Sequence, residues 1–160
     1  MAESTDGQKS CSGQRTVVVA IDESEDAEYA FDFYIQNVKR EEDSVVLVTV
    51  PEYHGIFNSS ILFSDPATVA VLVKEEQKRI QYILQKYTKK MQNANIGGKL
   101  REDVGKIGET ILSVAREENA NLIVVGSRGL GKVRRTILGS VSDYCLHHST
   151  VPVLICRMEA

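Results

Sequence analysis

The sequence predicts an α/β fold in which a parallel β-sheet is covered by helices on both faces. Four short stretches are continuous runs of β-branched and aliphatic residues, without the apolar–polar alternation of a sheet that faces water. Such runs are typical of parallel strands buried on both faces. The segments between them follow the 3.6-residue period of amphipathic helices. Because strands and helices alternate along the chain, right-handed crossovers give a doubly wound sheet.

Five strands are expected. The four apolar runs are residues 16–21, 44–50, 121–126 and 151–156. A fifth stretch, residues 99–104, follows a Gly-Gly pair and alternates apolar residues with charged ones. We predict that it is a short edge strand, because charge at a sheet edge discourages pairing with other chains.

Four helices are expected between the strands. Ser24 is placed to cap the first, and the acidic residues Glu25 and Asp26 suit its positive first turn. The second begins directly after Pro66. Apolar residues at helical spacing place the four helices within residues 27–38, 69–91, 107–115 and 138–148.

Length and composition exclude several classes of protein. The 160 residues fit one domain, which we place at residues 15–160 after a disordered polar tail at residues 1–14. No apolar run is long enough for a membrane span or a secretory signal, so we expect a cytoplasmic protein without membrane contact. The net charge of −3 and the aromatic content of 6% argue against a nucleic-acid-binding surface.

The three cysteines, Cys11, Cys145 and Cys156, are an odd number, which indicates free thiols and not a disulfide framework. Cys145 and His148 lie three residues apart on the last predicted helix and could direct two metal ligands the same way. No second ligand pair has a fitting spacing, so we predict no metal site.

The stretch GSRGLGKVRRTILGS, residues 126–140, joins the fourth predicted strand to the last helix. Gly126, Gly131 and Lys132 match the phosphate-loop pattern G-x-x-x-x-G-K-[ST]. Val133, however, stands where a hydroxyl group would hold magnesium. The stretch is therefore not an ordinary phosphate loop.

The same stretch fits a different phosphate cradle, at the edge where open α/β sheets bind ligands. Glycines at 126, 129 and 131 would allow a positive φ and a close approach of the ligand. Gly139 and Ser140 open a helix, whose first amides and dipole favour an anion. Ser140 and Ser142 add hydroxyl groups, and four cations lie nearby in sequence, at Arg128, Lys132, Arg134 and Arg135. The alternative is ordinary turn and cap chemistry beside a solvated basic face.

Gly126, Gly129, Gly139 and Ser140 together match G-x2-G-x9-G-[ST], the nucleotide signature of the universal stress protein family. The chain resembles that family from Arg15 to Arg157. The motif VVVAIDES resembles its first strand and turn, and VSDYCLHHSTVPVLIC its last helix and strand. The resemblance implies a three-layer, Rossmann-like sandwich with strand order 3-2-1-4-5 and helices on both faces. It also implies ATP as the ligand, bound where strands one and four diverge.

The resemblance further implies which residues contact the nucleotide. Ribose and phosphates would be held by Gly126, Ser127, Arg128, Gly129, Gly139, Ser140, Val141 and Ser142, with Gly131 and Lys132 in the arc between them. Asp22 and Val50 would lie against the adenosine part, and Ala20 and Ile21 would line the pocket. Asp22 has a second interpretation, because an acidic residue at a strand end often caps the next helix. Any Mg²⁺ would be held by the phosphates alone.

Family members with this signature typically dimerise through their last strand. Here that strand, from Val151 to Cys156, is apolar and is expected at an edge of the sheet. Pairing with its own copy would cover it and give a homodimer. The polar tail or the chain end could shield it instead.

The sequence shows no convincing catalytic set, because His147 and His148 lie two turns along the helix from Ser140. We therefore predict a nucleotide-gated module of the stress response. In it, ATP orders the 126–140 stretch and the long segment 52–65, which holds His54 and Phe57. Two alternatives remain open at this point. One is a slow ATP hydrolase or nucleotidyl transferase that uses the same cradle, and the other is a nucleotide-independent protein that only dimerises.

Overall fold

The structure is a computed structural model that describes residues 13–53, 56, 65–128 and 138–158. Its elements alternate as predicted. They are β1 (Thr16–Ala20), α1 (Glu25–Phe33) with a π-helical turn (Tyr34–Val38), β2 (Ser44–Thr49), α2 (Pro66–Asn93), β3 (Gly98–Glu102), α3 (Ile107–Glu117), β4 (Leu122–Gly126), α4 (Ser140–His148) and β5 (Val153–Cys156).

The five strands form one parallel sheet in the order β3-β2-β1-β4-β5, which confirms the predicted topology. The charged strand β3 lies at one edge and the apolar strand β5 at the other, as expected. Most strands are one or two residues shorter than the apolar runs that predicted them. Strand β5 begins only after Pro152, which has no amide hydrogen to donate to a ladder.

Helices cover both faces of the sheet because alternate residues of each buried strand point to opposite faces. On one face, Val17 and Val19 of β1 pack in a core with α1 and α2, which contribute Phe31 and Ile83 among others. On the other face, Val18 of β1 packs in a second core with α3 and α4. These two half-cores explain why the strand sequences are apolar throughout.

Local sequence signals set the helix starts. Ser24 caps α1, since its hydroxyl oxygen accepts a hydrogen bond from the Ala27 amide at 3.2 Å. Asp65 caps α2 in the same way through the Ala67 amide, and Pro66 occupies the first turn. Helix α4 begins at Ser140 and not at Leu138, because Gly139 is in an extended conformation and forms the N-cap. None of the helices in the described ranges is long and apolar enough to cross a membrane.

A partly buried ion pair anchors the opposite end of the sheet from the predicted site. The Arg15 guanidinium donates to both carboxylate oxygens of Asp43, at 2.8 and 2.6 Å. The Tyr34 hydroxyl donates to the same carboxylate at 2.7 Å. The start of β1, the end of α1 and the turn before β2 are thereby tied together.

Several predictions concern residues outside the described ranges. They concern most of the tail at residues 1–14 with Cys11, two residues of the long segment 52–65, and six residues of the arc. The segment residues are His54 and Phe57, and the arc residues are Gly129, Gly131, Lys132, Val133, Arg134 and Arg135.

Candidate functional site

A cavity opens at the carboxyl ends of the strands, between β1 and β4. The chain leaves β1 towards one face of the sheet and leaves β4 towards the other, so a crevice forms between them. Strand ends, the first turn of α4 and side chains from α2 and α3 line this cavity. The predicted site residues among them are Ala20, Ile21, Asp22, Val50, Gly126, Arg128, Gly139, Ser140, Val141 and Ser142.

Part of the cavity lining is apolar, and Asp22 adds a carboxylate beside it. Val50, Ile107, Ile111 and Val125 supply the apolar wall. Asp22 lies at the end of β1, where one of its carboxylate oxygens accepts hydrogen bonds from both the amide and the hydroxyl of Ser24. Asp22 therefore bonds Ser24, the residue that caps α1, and does not cap the helix itself. It also lines the cavity, and its contact with a ligand stays a prediction.

The start of α4 gives the cavity groups that suit an anion. Ser140 and Val141 lie in the first turn of α4, where amide groups have no partner within the helix. The N-cap residue Gly139 has no side chain to bond these amides. Arg128 lines the same cavity and forms no ion pair within the described part of the chain. A helix N-terminus and a guanidinium that no described residue pairs together suit a phosphate group.

The two ends of the predicted arc are fixed to the protein. The Gly139 amide donates to the carbonyl oxygen of Ser127 at 2.7 Å, and the Ser127 amide donates to the Cys156 carbonyl at 2.8 Å. The Ser142 hydroxyl lies 3.0 Å from the carbonyl oxygens of both Ser127 and Gly139. The stems of the arc are thus held by main-chain and side-chain hydrogen bonds.

Two of the predicted ligand hydroxyls are oriented towards the protein. The Ser142 side chain is buried, and its hydroxyl is used by the arc stems. Ser127 is also buried, does not line the cavity, and has its hydroxyl 3.4 Å from Asp26 Oδ1. Ser140 is exposed at the cavity, and no hydrogen bond engages its hydroxyl in the described part of the chain.

The expected reason for glycine at position 126 is wrong. We expected a positive φ, but Gly105 is the one glycine with a positive φ among the described residues. A Cβ atom at Gly126 would instead lie 2.7 Å from the carbonyl group of Asp26 and 2.9 Å from the Ala27 amide. The position needs glycine because the start of α1 packs directly on the end of β4.

Sequence reasoning missed a charged group that α2 brings to the cavity. Arg79 lines the cavity, with 18% of its side chain exposed. Its guanidinium donates to Glu76 at 2.6 and 2.9 Å, and Glu76 also accepts from the Glu52 amide at 2.7 Å. The hydrogen bonds from Arg79 lower the pKa of Glu76, against the opposing effect of burial. The sequence did contain a signal for this contact, because Glu76 and Arg79 are charged residues that interrupt the apolar face of α2.

The pair Cys145 and His148 does not form a metal site. Cys145 is buried in the core, whereas His148 is exposed and stacks on Tyr144 with 4.1 Å between ring centroids. Over the described ranges, no three His, Cys, Asp or Glu side chains lie close enough to hold a metal ion together.

Comparison with known proteins gives a consistent answer. The universal stress protein family model matches residues 14–157. The universal stress protein Sll1388 of Synechocystis is 31% identical over 115 residues, which are 72% of this chain and 72% of that protein. The structure of universal stress protein UspA from Lactobacillus plantarum superposes with a TM-score of 0.73 and 21% identity, covering 90% of this chain and 98% of that one.

Two similar structures contain nucleotides. A family protein from Arabidopsis thaliana was solved with AMP bound, and it matches with a TM-score of 0.66 and 20% identity over 91% of this chain and 93% of that one. A universal stress protein in complex with cAMP matches with a TM-score of 0.65 and 27% identity over 91% of this chain and 98% of that one. The extent of the family match decides the assignment: this chain belongs to the universal stress protein family.

Proposed function

We propose that this protein binds ATP in the cavity between β1 and β4 and acts as a nucleotide-gated module of the stress response, as a homodimer in the cytoplasm. One observation carries the proposal. One cavity is lined both by an anion-favouring helix start with Arg128 and by apolar side chains with Asp22. The AMP and cAMP complexes of similar proteins support an adenine nucleotide as the ligand.

The phosphates belong at the start of α4. The free amides of its first turn and the Ser140 hydroxyl donate hydrogen bonds, and Arg128 supplies charge. Three more cations, Lys132, Arg134 and Arg135, occur in the arc sequence and favour a polyphosphate. Mg²⁺ would be held by the phosphate oxygens, since Val133 offers no hydroxyl.

The adenosine part belongs against the apolar wall. The oxygens of Asp22 can accept hydrogen bonds from ribose hydroxyls or from the amino group of the base. Arg79 lies in the same cavity, but its charge is compensated by Glu76 at 2.6 Å and by Glu23 at 3.7 Å. We therefore assign Arg79 to the shape of the cavity and not to phosphate binding.

Calorimetry tests the nucleotide site directly. The purified chain is extracted with acid to identify any bound nucleotide and is then titrated with ATP and AMP. Gly139→Val should remove ATP binding, because the new side chain fills the space at the helix start. The φ of −65° at this position is accessible to any residue. Gly139 is buried, so thermal unfolding is measured beside the titration to establish that the variant folds. Val133→Thr is the matched control and should bind like the parent.

The outcomes separate the competing functions. Absence of ATP binding at millimolar concentration would contradict the proposal and favour a protein that only associates. Sustained magnesium-dependent turnover that disappears in Gly139→Val would instead indicate a hydrolase. Gating predicts that ATP lowers protease cleavage within residues 126–140 and 52–65, and identical cleavage with and without ATP would contradict it.

The proposed dimer pairs the free edge of β5 with its own copy. Val153, Leu154 and Ile155 are only half-buried, and β4 is the one strand paired with β5 in the described sheet. Ile155→Asp should convert the dimer to a monomer in sedimentation experiments, because a buried unpaired charge is costly. Val104→Asp, at a position that is 66% exposed, is the control and should remain dimeric.

A further inference from the structure

Four residues form a straight stripe on the solvent side of α2. Val71, Glu75, Lys78 and Tyr82 are spaced i, i+4, i+7 and i+11, so they share one face of the helix. The face is opposite to the one that buries Ile80, Ile83, Tyr87 and Met91. We call these four residues the outer stripe of α2.

The outer stripe has apolar ends and a charged centre. Val71 is 55% exposed and Tyr82 is 59% exposed, which places them among the few large apolar side chains that are exposed in the described ranges. Glu75 and Lys78 lie between them, both exposed. Neither forms an ion pair or a side-chain hydrogen bond in the part of the chain that the structure describes, whereas neighbouring Glu76 and Arg79 are bonded to each other.

The order of these residues makes the stripe complementary to itself. If two copies of α2 cross antiparallel about a two-fold axis between residues 76 and 77, Val71 of each copy meets Tyr82 of the other. In the same register, Glu75 of each copy meets Lys78 of the other. The apolar contacts and the opposite charges therefore coincide in one arrangement, as an isologous interface requires.

The position of the stripe leaves it accessible when β5 is paired. Helix α2 packs on the face that carries α1 and connects β2 to β3, at the edge of the sheet opposite to β5. A second copy that pairs with β5 therefore leaves the outer stripe uncovered. Nucleotide binding does not involve it either, since the cavity contact of α2 is Arg79.

From this self-complementarity we infer that the outer stripe of α2 is a second self-association surface, and that its occupant is the α2 of another copy of this chain. A single helix pair buries less area than a standard interface, so the contact is weak on its own. Combined with β5 pairing, it joins dimers into larger assemblies through a second two-fold axis. The inference does not depend on ATP binding or on the β5 dimer.

Charge reversal tests the register. Sedimentation velocity of the full chain over a concentration series should show reversible association beyond the species present at low concentration. Glu75→Lys should weaken this association by about five- to tenfold, because two attractive contacts become repulsive. The double variant Glu75→Lys, Lys78→Glu should restore it to near the parent value. Glu41→Lys, an exposed change of the same charge elsewhere, should have no effect.

Cross-linking tests the antiparallel pairing independently. In a Cys11→Ser background, Val71→Cys protein is mixed with Tyr82→Cys protein under mild oxidation. A disulfide should form in the mixture and in neither variant alone. Copies of residue 71 are separated by 11 positions in the proposed register, roughly 16 Å along the helix axis, which is too far for a disulfide. Equal cross-linking by Val71→Cys alone, or the absence of any concentration-dependent association, would overturn the inference.

Discussion

The Gly139 amide donates a hydrogen bond to the carbonyl oxygen of Ser127 at 2.7 Å, and this bond joins the two ends of the glycine-rich arc. The bond holds the amides at the start of α4 beside the end of β4. The helix start is thereby preorganised for an anion.

The Ser142 hydroxyl bonds both ends of the arc. Replacing Ser142 and Ser140 in turn should distinguish a hydroxyl group that stabilises the fold from one that binds the ligand. Ser142→Ala should lower the free energy of unfolding by about 1 kcal/mol, because two buried carbonyl oxygens lose their hydroxyl partner. Ser140→Ala should leave stability unchanged and weaken ATP binding severalfold. Urea unfolding and calorimetry on both variants measure the two effects, and equal destabilisation of both variants would contradict the assignment.

Gly126 should be intolerant of any side chain for a reason unrelated to the nucleotide. Gly126→Ala would place a Cβ atom 2.7 Å from the Asp26 carbonyl, so α1 must shift or the strand must move. We expect a loss of about 1 to 3 kcal/mol in the free energy of unfolding. Gly97→Ala is the matched control, because no atom lies within 4 Å of its Cβ position. Equal stability of the two variants would show that α1 adapts freely.

The fold was predictable because a strand that is buried on both faces has a continuous apolar sequence, which is visible locally. Each apolar run became a strand, and the charged run 99–104 became an edge strand within two residues of its expected bounds. The cap residue Ser24 bonds the Ala27 amide, only three positions along the chain, so this contact was also predictable from the sequence. Strand order is not local, and it came from resemblance to a known family.

The candidate cavity lies at the strand ends where the sequence predicted a site, but several of its details were not predicted. Gly126 is required by the tertiary approach of α1, which no local pattern contains. The orientation of the Ser127 and Ser142 hydroxyls depends on how the arc stems pack together. Arg79 reaches the cavity through the packing of α2 on the sheet, which no local pattern contains.

Arg79 should matter for the shape of the cavity and for stability together. Arg79→Met leaves the half-buried Glu76 carboxylate without its bidentate partner. We expect a loss of about 1 to 3 kcal/mol in the free energy of unfolding, together with weaker ATP binding as the turn at Glu52 loosens. Lys74→Met, an exposed change on the same helix, should alter neither quantity. An unchanged ATP affinity in Arg79→Met would remove this residue from the site.

The two core cysteines should be unreactive in the folded protein. Burial raises the pKa of Cys145 and of Cys156 to about 11, so little thiolate exists at pH 8. In a Cys11→Ser background, reaction with a disulfide reagent should be slower by roughly a hundredfold or more than in urea. Two thiols that react within minutes in the native protein would show that β5 or α4 opens readily.

Asp43 should make the protein sensitive to acid. Burial opposes the charge of Asp43, but hydrogen bonds from Arg15, the Arg40 amide and Tyr34 outweigh it and hold its pKa at about 2. Between that value and the ordinary value near 4, the unfolded chain binds a proton that the folded chain does not, so stability falls as pH falls. The contribution is about 2 kcal/mol and is fully present above pH 4.

Asp43→Asn should lower the free energy of unfolding at pH 7 and flatten its dependence on pH between 4 and 2. Exposed Glu42→Gln should keep the stability of the parent at pH 7. If the unfolding free energy of Asp43→Asn varied with pH as strongly as that of the parent, other carboxyl groups would be responsible for the dependence.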